Sequence, residues 1–214
     1  YSLRLNTQPV EPVRVTIGTA GDILAAPASI TVDATNWDQA QTILLTAVDD
    51  QIDTLDDLWY ALVTHSVASN DSHYDGVDLA EIVLTISDDD VAAITSSNYN
   101  ITVLRGEQAT YTVQLESEPL TDVLVEISPA WRAIVAATCG NDDGASACVL
   151  FTPDNWNQPQ AITVTGAAVG PAVITHWVTS SDSQYAGMNV RTVYVEVADN
   201  PNDIDIFLPI ISRD

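Results

Sequence analysis

YTVQLESEPLTDVLVEI, residues 111–127, restates the opening of the chain, YSLRLNTQPVEPVRVTI, residues 1–17, with 6 of 17 positions identical. Working outward from this pair, TNWDQAQTILLTA (35–47) matches DNWNQPQAITVTG (154–166) around an Asn-Trp dipeptide, and HSVASNDSHYDG (65–76) matches HWVTSSDSQYAG (176–187) at 7 of 12 positions. Three blocks in one order describe one structural unit written twice. The copies are unequal. The second is introduced by VAAITSSNYNITVLRGEQAT (91–110), whereas the first begins at Tyr1 with the segment that should follow such a strand. The first copy therefore reads as lacking its opening strand, and a strand-like segment is left over at the other end of the chain.

Within each copy, Val, Ile, Leu, Thr and Tyr alternate with polar residues in SLRLN, VRVTI, YTVQLES, VLVEI, AITVTG and EIVLTIS, punctuated by Gly, Pro, Asn and Asp. Period-two alternation broken by turn residues about every 10 positions predicts antiparallel sheets packed as sandwiches. The expected architecture is all-β, with two tandem immunoglobulin-like sandwiches over residues 1–90 and 91–202 and a tail over 203–214. DTLDDLWYALV (53–63) reads as an acidic loop running into a strand. At 214 residues there is room for two cores. The sequence has no apolar run of about 18 residues, so no transmembrane helix is expected. The start at Tyr1, without Met or a basic apolar leader, fits either a processed mature chain or a fragment.

Asp and Glu number 30 against 6 basic residues, all Arg, for a formal net charge of −24. Such a chain repels phosphates and anionic lipid, which argues against nucleic acid as a partner and against membrane insertion. Without Lys there are no Lys-Asn isopeptide cross-links. Cys139 and Cys148 flank GNDDGASA, a loop absent from the first copy. Strand-like runs on both sides place them across a hairpin mouth. A disulfide there, worth roughly 3 kcal/mol in the chain-entropy model, is favoured over two buried thiols and implies an oxidising, extracellular or cell-surface setting.

The order of these motifs resembles the Calx-β family: Tyr-x-Val-x-Leu, Val-x-Val-x-Ile, Asn-Trp, an Asp-Asp loop, a Ser-x-Asp-x-x-Tyr-x-Gly turn and a closing strand ending Asp88-Asp89-Asp90. The likeness covers nearly all of residues 1–200. It implies immunoglobulin-like sandwiches of bacterial surface or adhesion proteins, some of which bind calcium through carboxylates at one end. The matching candidates are Asp49, Asp50, Asp53, Asp88, Asp89 and Asp90, with Asp56 and Asp57 nearby, a hard-oxygen set suited to calcium. The second copy departs from the pattern. Its loop TGAAVGPAV carries no acid, and Arg105-Gly106 stands where the family has Glu-Gly. The resemblance therefore implies calcium in the first domain only, against the alternative of a solvated acidic loop.

The tail, DIDIFLPII at 203–211, sets Ile204, Ile206, Leu208 and Ile210 on one face of an extended strand, with Phe207, Pro209 and Ile211 on the other. Burying four aliphatic side chains is worth a gross 6 to 12 kcal/mol, roughly 1.5 to 3 each. The segment has three destinations open to it: its own second domain, another surface component, or the first domain of a neighbouring copy. The third predicts an interface between Ile204, Ile206, Phe207, Leu208, Ile210 and Ile211 of one copy and Tyr1, Leu3 and Leu5 of the next. IFLPIISRD followed by YSLRLNTQP imitates ITVLRGEQATYTVQLESEP of the second repeat. Such tail-to-head contacts generate an open filament. The expected function is a non-enzymatic structural subunit of an extracellular homopolymer. The alternative is a calcium-binding spacer or adhesion module of a larger surface protein, with its missing strand upstream of Tyr1.

No catalytic residues are expected. The chain has no Cys-x-x-Cys, no His-Glu-x-x-His and no Gly-rich phosphate loop. His65 and His176 hold equivalent repeat positions and read as structural, as do Trp37 and Trp156. Trp59, Trp131 and Trp177 are unpaired between the copies and are candidates for facing a ligand. Asn70 and Asn100 head glycan acceptor sequons.

Overall fold

In the computed structural model, residues 1–54, 58–129, 131–140 and 147–201 are described. The expected all-β architecture is what forms: every described element is a strand, and the strands assemble into sandwich-like, mainly antiparallel sheets. The chain divides into two compact units, Tyr1–Asp50 with Thr54–Asp89, and Gln51–Asp53 with Asp90–Asp214.

Unit 1 contains β1 (Ser2–Leu3), β2 (Val13–Thr19), β3 (Ile23–Ala26), β4 (Ser29–Val32), β5 (Gln41–Thr42), β6 (Leu44–Ala47), β7 (Leu58–Ser69) and β8 (Ile82–Ser87). A four-stranded sheet runs β4-β2-β7-β8, faced by the pairs β3-β6 and β1-β5. Alternation in β2 buries Val13, Val15 and Ile17 and exposes the residues between them, as expected of a sheet with one wet face. Ile30, Val32, Ile43 and Val63 complete the core, with Leu3, Leu5, Trp37 and Leu45 packed against it.

Unit 2 contains β9 (Ile94–Ser96), β10 (Asn100–Leu104), β11 (Gln108–Leu115), β12 (Val123–Pro129), β13 (Ala133–Ala136), β14 (Cys139–Gly140), β15 (Ala147–Phe151), β16 (Gln160–Gly166), β17 (Gly170–Ser180) and β18 (Val193–Ala198). Its sheets run β10-β18-β17-β12-β15-β14 and β13-β16-β11-β9. Cys139 and Cys148 face each other across β14 and β15 and form a disulfide, Cα to Cα 4.8 Å.

The repeated motifs hold the same backbone groups in both units. Asn36 Oδ1 accepts the Asp33 N–H at 2.7 Å, and Asn155 Oδ1 accepts the Thr152 N–H at 2.7 Å. Trp37 and Trp156 lie half-buried against their own cores. In the Ser-x-Asp-x-x-Tyr-x-Gly turns, the buried Asp71 accepts from Val10 and His73 N–H at 2.9 and 3.0 Å, and Asp182 accepts from Leu120 and Gln184 at 2.7 and 2.9 Å. The Val10 N–H, then that of His73, holds the Asp71 carboxyl below the usual range. Gly76 and Gly187 close these turns at φ 68° and 69°, the left-handed region where a Cβ is costly.

His65 and His176 hold equivalent places, each beside the tyrosine of its own repeat. Tyr1 Oη lies 3.0 Å from His65 Nε2, and Tyr111 Oη lies 2.9 Å from His176 Nε2. Burial lowers the His176 pKa to about 4, so the folded state holds the ring neutral where the unfolded chain titrates near 6.5. The unfolded state therefore binds the extra proton first, and the stabilising contribution of the neutral ring, complete above pH about 6.5, is lost as pH falls toward about 4. In urea titrations of the wild type and His176→Gln between pH 7.5 and 4, the wild-type midpoint should fall more steeply across that window. Parallel curves would show that another group governs the acid transition.

Candidate functional site: an open strand edge in unit 1

Unit 2 shows how this repeat closes. β10 pairs with β18 in parallel, Ile101 opposite Val195 and Val103 opposite Val197, while β9 pairs antiparallel with β11 from Val113–Ser96 to Leu115–Ile94. One stretch of chain thus seals an edge of both sheets. Beneath it Val193, Val195 and Val197 are 0%, 2% and 0% exposed, and Tyr111, Val113 and Leu115 are 1%, 0% and 0% exposed.

The corresponding edge in unit 1 is open. β8 is the counterpart of β18, because Val63 faces Ile82 as Ile174 faces Val193, and each of these pairs sits two residues before its histidine. On the side of β8 away from β7, no strand pairs with it among the described residues. The inward-facing Ile82 and Leu84 are only half-buried, and the opening residues follow suit: Tyr1 is 36% exposed, with Leu3 and Leu5 half-buried. Leu45 is half-buried where its counterpart Val164 is at 0%. A hollow of about 300 Å³ lies against this edge, lined by Ile23, Leu45, Ala47 and residues Leu84 to Ser87. A second, of about 330 Å³, reaches into the core between Leu3, Leu5, Val13, Val15, Val32, Val67 and Tyr74. Such a surface offers apolar side chains together with unpaired backbone N–H and C=O groups, the combination that recruits an extended segment.

The tail residues assigned to this interface, Ile204, Ile206, Phe207, Leu208, Ile210 and Ile211, lie outside the described residues. Tyr1, Leu3 and Leu5 do lie on unit 1 with β1, and Leu3 and Leu5 line the second hollow.

Of the six candidate metal ligands, three gather: single carboxylate oxygens of Asp49, Asp89 and Asp90 lie within 4.8 Å of one another. Two others hold backbone instead. Asp53 accepts the Ala92 N–H at 2.6 Å, and Asp88 accepts the Thr54 N–H and hydroxyl at 2.7 and 2.8 Å. Asp50 is exposed beside Asp49 but outside the group, and Asp56 and Asp57 lie outside the described residues. Sequence proximity did not reveal this division of labour, since both backbone donors lie far away in the chain, 39 residues from Asp53 and 34 from Asp88, and each competes with a metal for the same oxygen. Three exposed or half-buried carboxylates supply half of the six to eight oxygens calcium prefers.

Both sequon asparagines, Asn70 and Asn100, are exposed. Trp131 and Trp177 are 72% and 70% exposed, whereas Trp59 packs against a small cluster of Ile23, Ala61 and Ile86. The Arg132 guanidinium stacks 3.9 Å above Trp131 and donates to the Val169 carbonyl at 3.1 Å. No known family model and no curated protein matches the sequence.

The open edge has a measurable signature. In hydrogen exchange on the chain ending at Asn202, amides of β8 that point away from β7 should exchange freely, while the β18 amides facing β10 should be protected. Equal protection of the two strands would mean that the β8 edge is covered.

Proposed function

We propose that the chain is a non-enzymatic structural subunit of an extracellular filament, built from two Calx-β-like sandwiches and assembled when the C-terminal segment of one copy completes unit 1 of the next. The observation that carries this reading is the outer edge of β8, with which no strand pairs among the described residues, at the place where β18 is sealed by β10. An apolar segment whose sequence alternates like a strand and an edge open to a further strand are complementary in backbone hydrogen bonding and in side chains. The contact is heterologous, so repetition extends it into a fibre unless its rotation closes a ring. The disulfide is consistent with an oxidising compartment. A surface of net charge −24 limits lateral association of such fibres. Purified full-length chain should form filaments in negative-stain electron micrographs, and the chain ending at Asn202 should give single particles only. Particles without filaments in both samples would overturn the proposal.

The second reading, a calcium-binding spacer or adhesion module whose strand comes from upstream of Tyr1, is favoured by the convergence of Asp49, Asp89 and Asp90. A divalent ion relieves the repulsion among clustered carboxylates. On this reading, millimolar calcium raises the Tm of the wild type and leaves that of the Asp89→Asn, Asp90→Asn double variant unchanged. An unmoved wild-type Tm would identify the group as a solvated acidic loop.

A further inference from the structure

We infer that the acceptor in unit 1 takes its donor in one polarity and one register: parallel to β8, with Ile204, Ile206 and Leu208 entering where Tyr99, Ile101 and Val103 stand in unit 2. The inference rests on the filament reading above and specifies its interface.

Unit 2 supplies the template. Tyr99, Ile101 and Val103 alternate inward, with Tyr99 half-buried against the core and the other two 6% and 4% exposed, while Asn98, Asn100, Thr102 and Leu104 point out. In the tail Ile204, Ile206, Leu208, interleaved with Asp203, Asp205 and Phe207, repeats this alternation in the same direction, whereas the run two residues on, Ile206, Leu208, Ile210, would carry Pro209 into the ladder. Polar residues then fall outside, as Asn98, Asn100 and Thr102 do, except that Phe207 takes the place of Thr102. Transferring the β10–β18 register to β8 sets Asp205 beside Val83, Ile206 beside Leu84, Phe207 beside Thr85 and Leu208 beside Ile86. Ile206 and Leu208 then cover Leu84 and Ile86 at the hollow bounded by Leu45 and Ala47.

An independent feature marks where the donor must leave. In unit 2 the Leu104 carbonyl passes so close to Gly166 that a Cβ on that glycine would lie 2.7 Å from the oxygen. The repeat places Ala47 at the position of Gly166. A donor in unit 1 cannot follow β10 as far as the residue matching Leu104 without striking the Ala47 methyl. In the proposed register that residue is Pro209, which has no N–H to contribute to a ladder and favours the end of a strand. The side chain added to the acceptor and the proline in the donor thus fall at the same step. A shift by one residue would instead turn Asp205 and Phe207 inward and Ile206 outward.

Cysteine pairs on the outer face of β8 test this without disturbing the core, since Val83 is 62% exposed and Thr85 is exposed. Full-length chains carrying Thr85→Cys with Phe207→Cys, or Val83→Cys with Asp205→Cys, are assembled, oxidised with copper phenanthroline and run on non-reducing denaturing gels. Both in-register pairs should give ladders of covalent dimers, trimers and higher species, and Val83→Cys with Phe207→Cys should stay monomeric. Filaments whose ladder comes from the Val83 and Phe207 pair overturn the register and leave the filament reading standing. Filaments with no ladder from any pair place the donor elsewhere and overturn the inference. Absence of filaments from the wild type removes the filament reading and this inference with it.

Discussion

A sandwich is sealed only when the strands at its edges are paired, and this chain does so in unit 2 with a single stretch that serves both sheets. β9 completes one sheet beside β11, and a few residues later β10 completes the other beside β18. The crossing segment satisfies backbone donors and acceptors in both layers and lays Ile101 and Val103 over the core. The complete burial of Val193, Val197, Val113 and Leu115 depends on it. Backbone polar groups and apolar side chains at an edge present one problem, because the same strand that supplies hydrogen bonds also excludes water.

Unit 1 keeps the rest of the plan without that stretch. Its turns are pinned by the same side chains, Asn36 and Asp71 doing for the first copy what Asn155 and Asp182 do for the second. These contacts are local or join the turn to the neighbouring loop, so they survive the loss of an edge strand. The inner residues of β2 remain as buried as those of β12. Leu3, Leu5, Leu45, Ile82 and Leu84 at the seam are half-buried, and so are Val67, Tyr74 and Leu79, whose counterparts Val178, Tyr185 and Val190 are buried; hollows of about 300 and 330 Å³ lie among several of these residues.

Calcium and filament assembly make different demands on the chain. A metal site needs converging oxygens, and among the described residues Asp49, Asp89 and Asp90 converge; Asp53 and Asp88 accept backbone N–H groups. A strand-accepting edge needs unpaired backbone beside apolar side chains, and among the described residues no strand pairs with the outer edge of β8, where Ile82, Leu84 and Ile86 alternate inward.

The sequence by itself determined the strand content, because period-two alternation and turn residues act locally. It also determined the duplication, because equivalent side chains recur in equivalent order. The Asn-Trp and Ser-x-Asp-x-x-Tyr-x-Gly turns were legible for the same reason. Tertiary structure alone decided that β10 runs parallel to β18, that the Leu104 carbonyl passes close against Gly166, and that three of six candidate carboxylates meet while two accept backbone N–H groups. Those outcomes depend on the approach of segments far apart in the chain. Alternation tells a residue which face it occupies, but not which strand lies beside it.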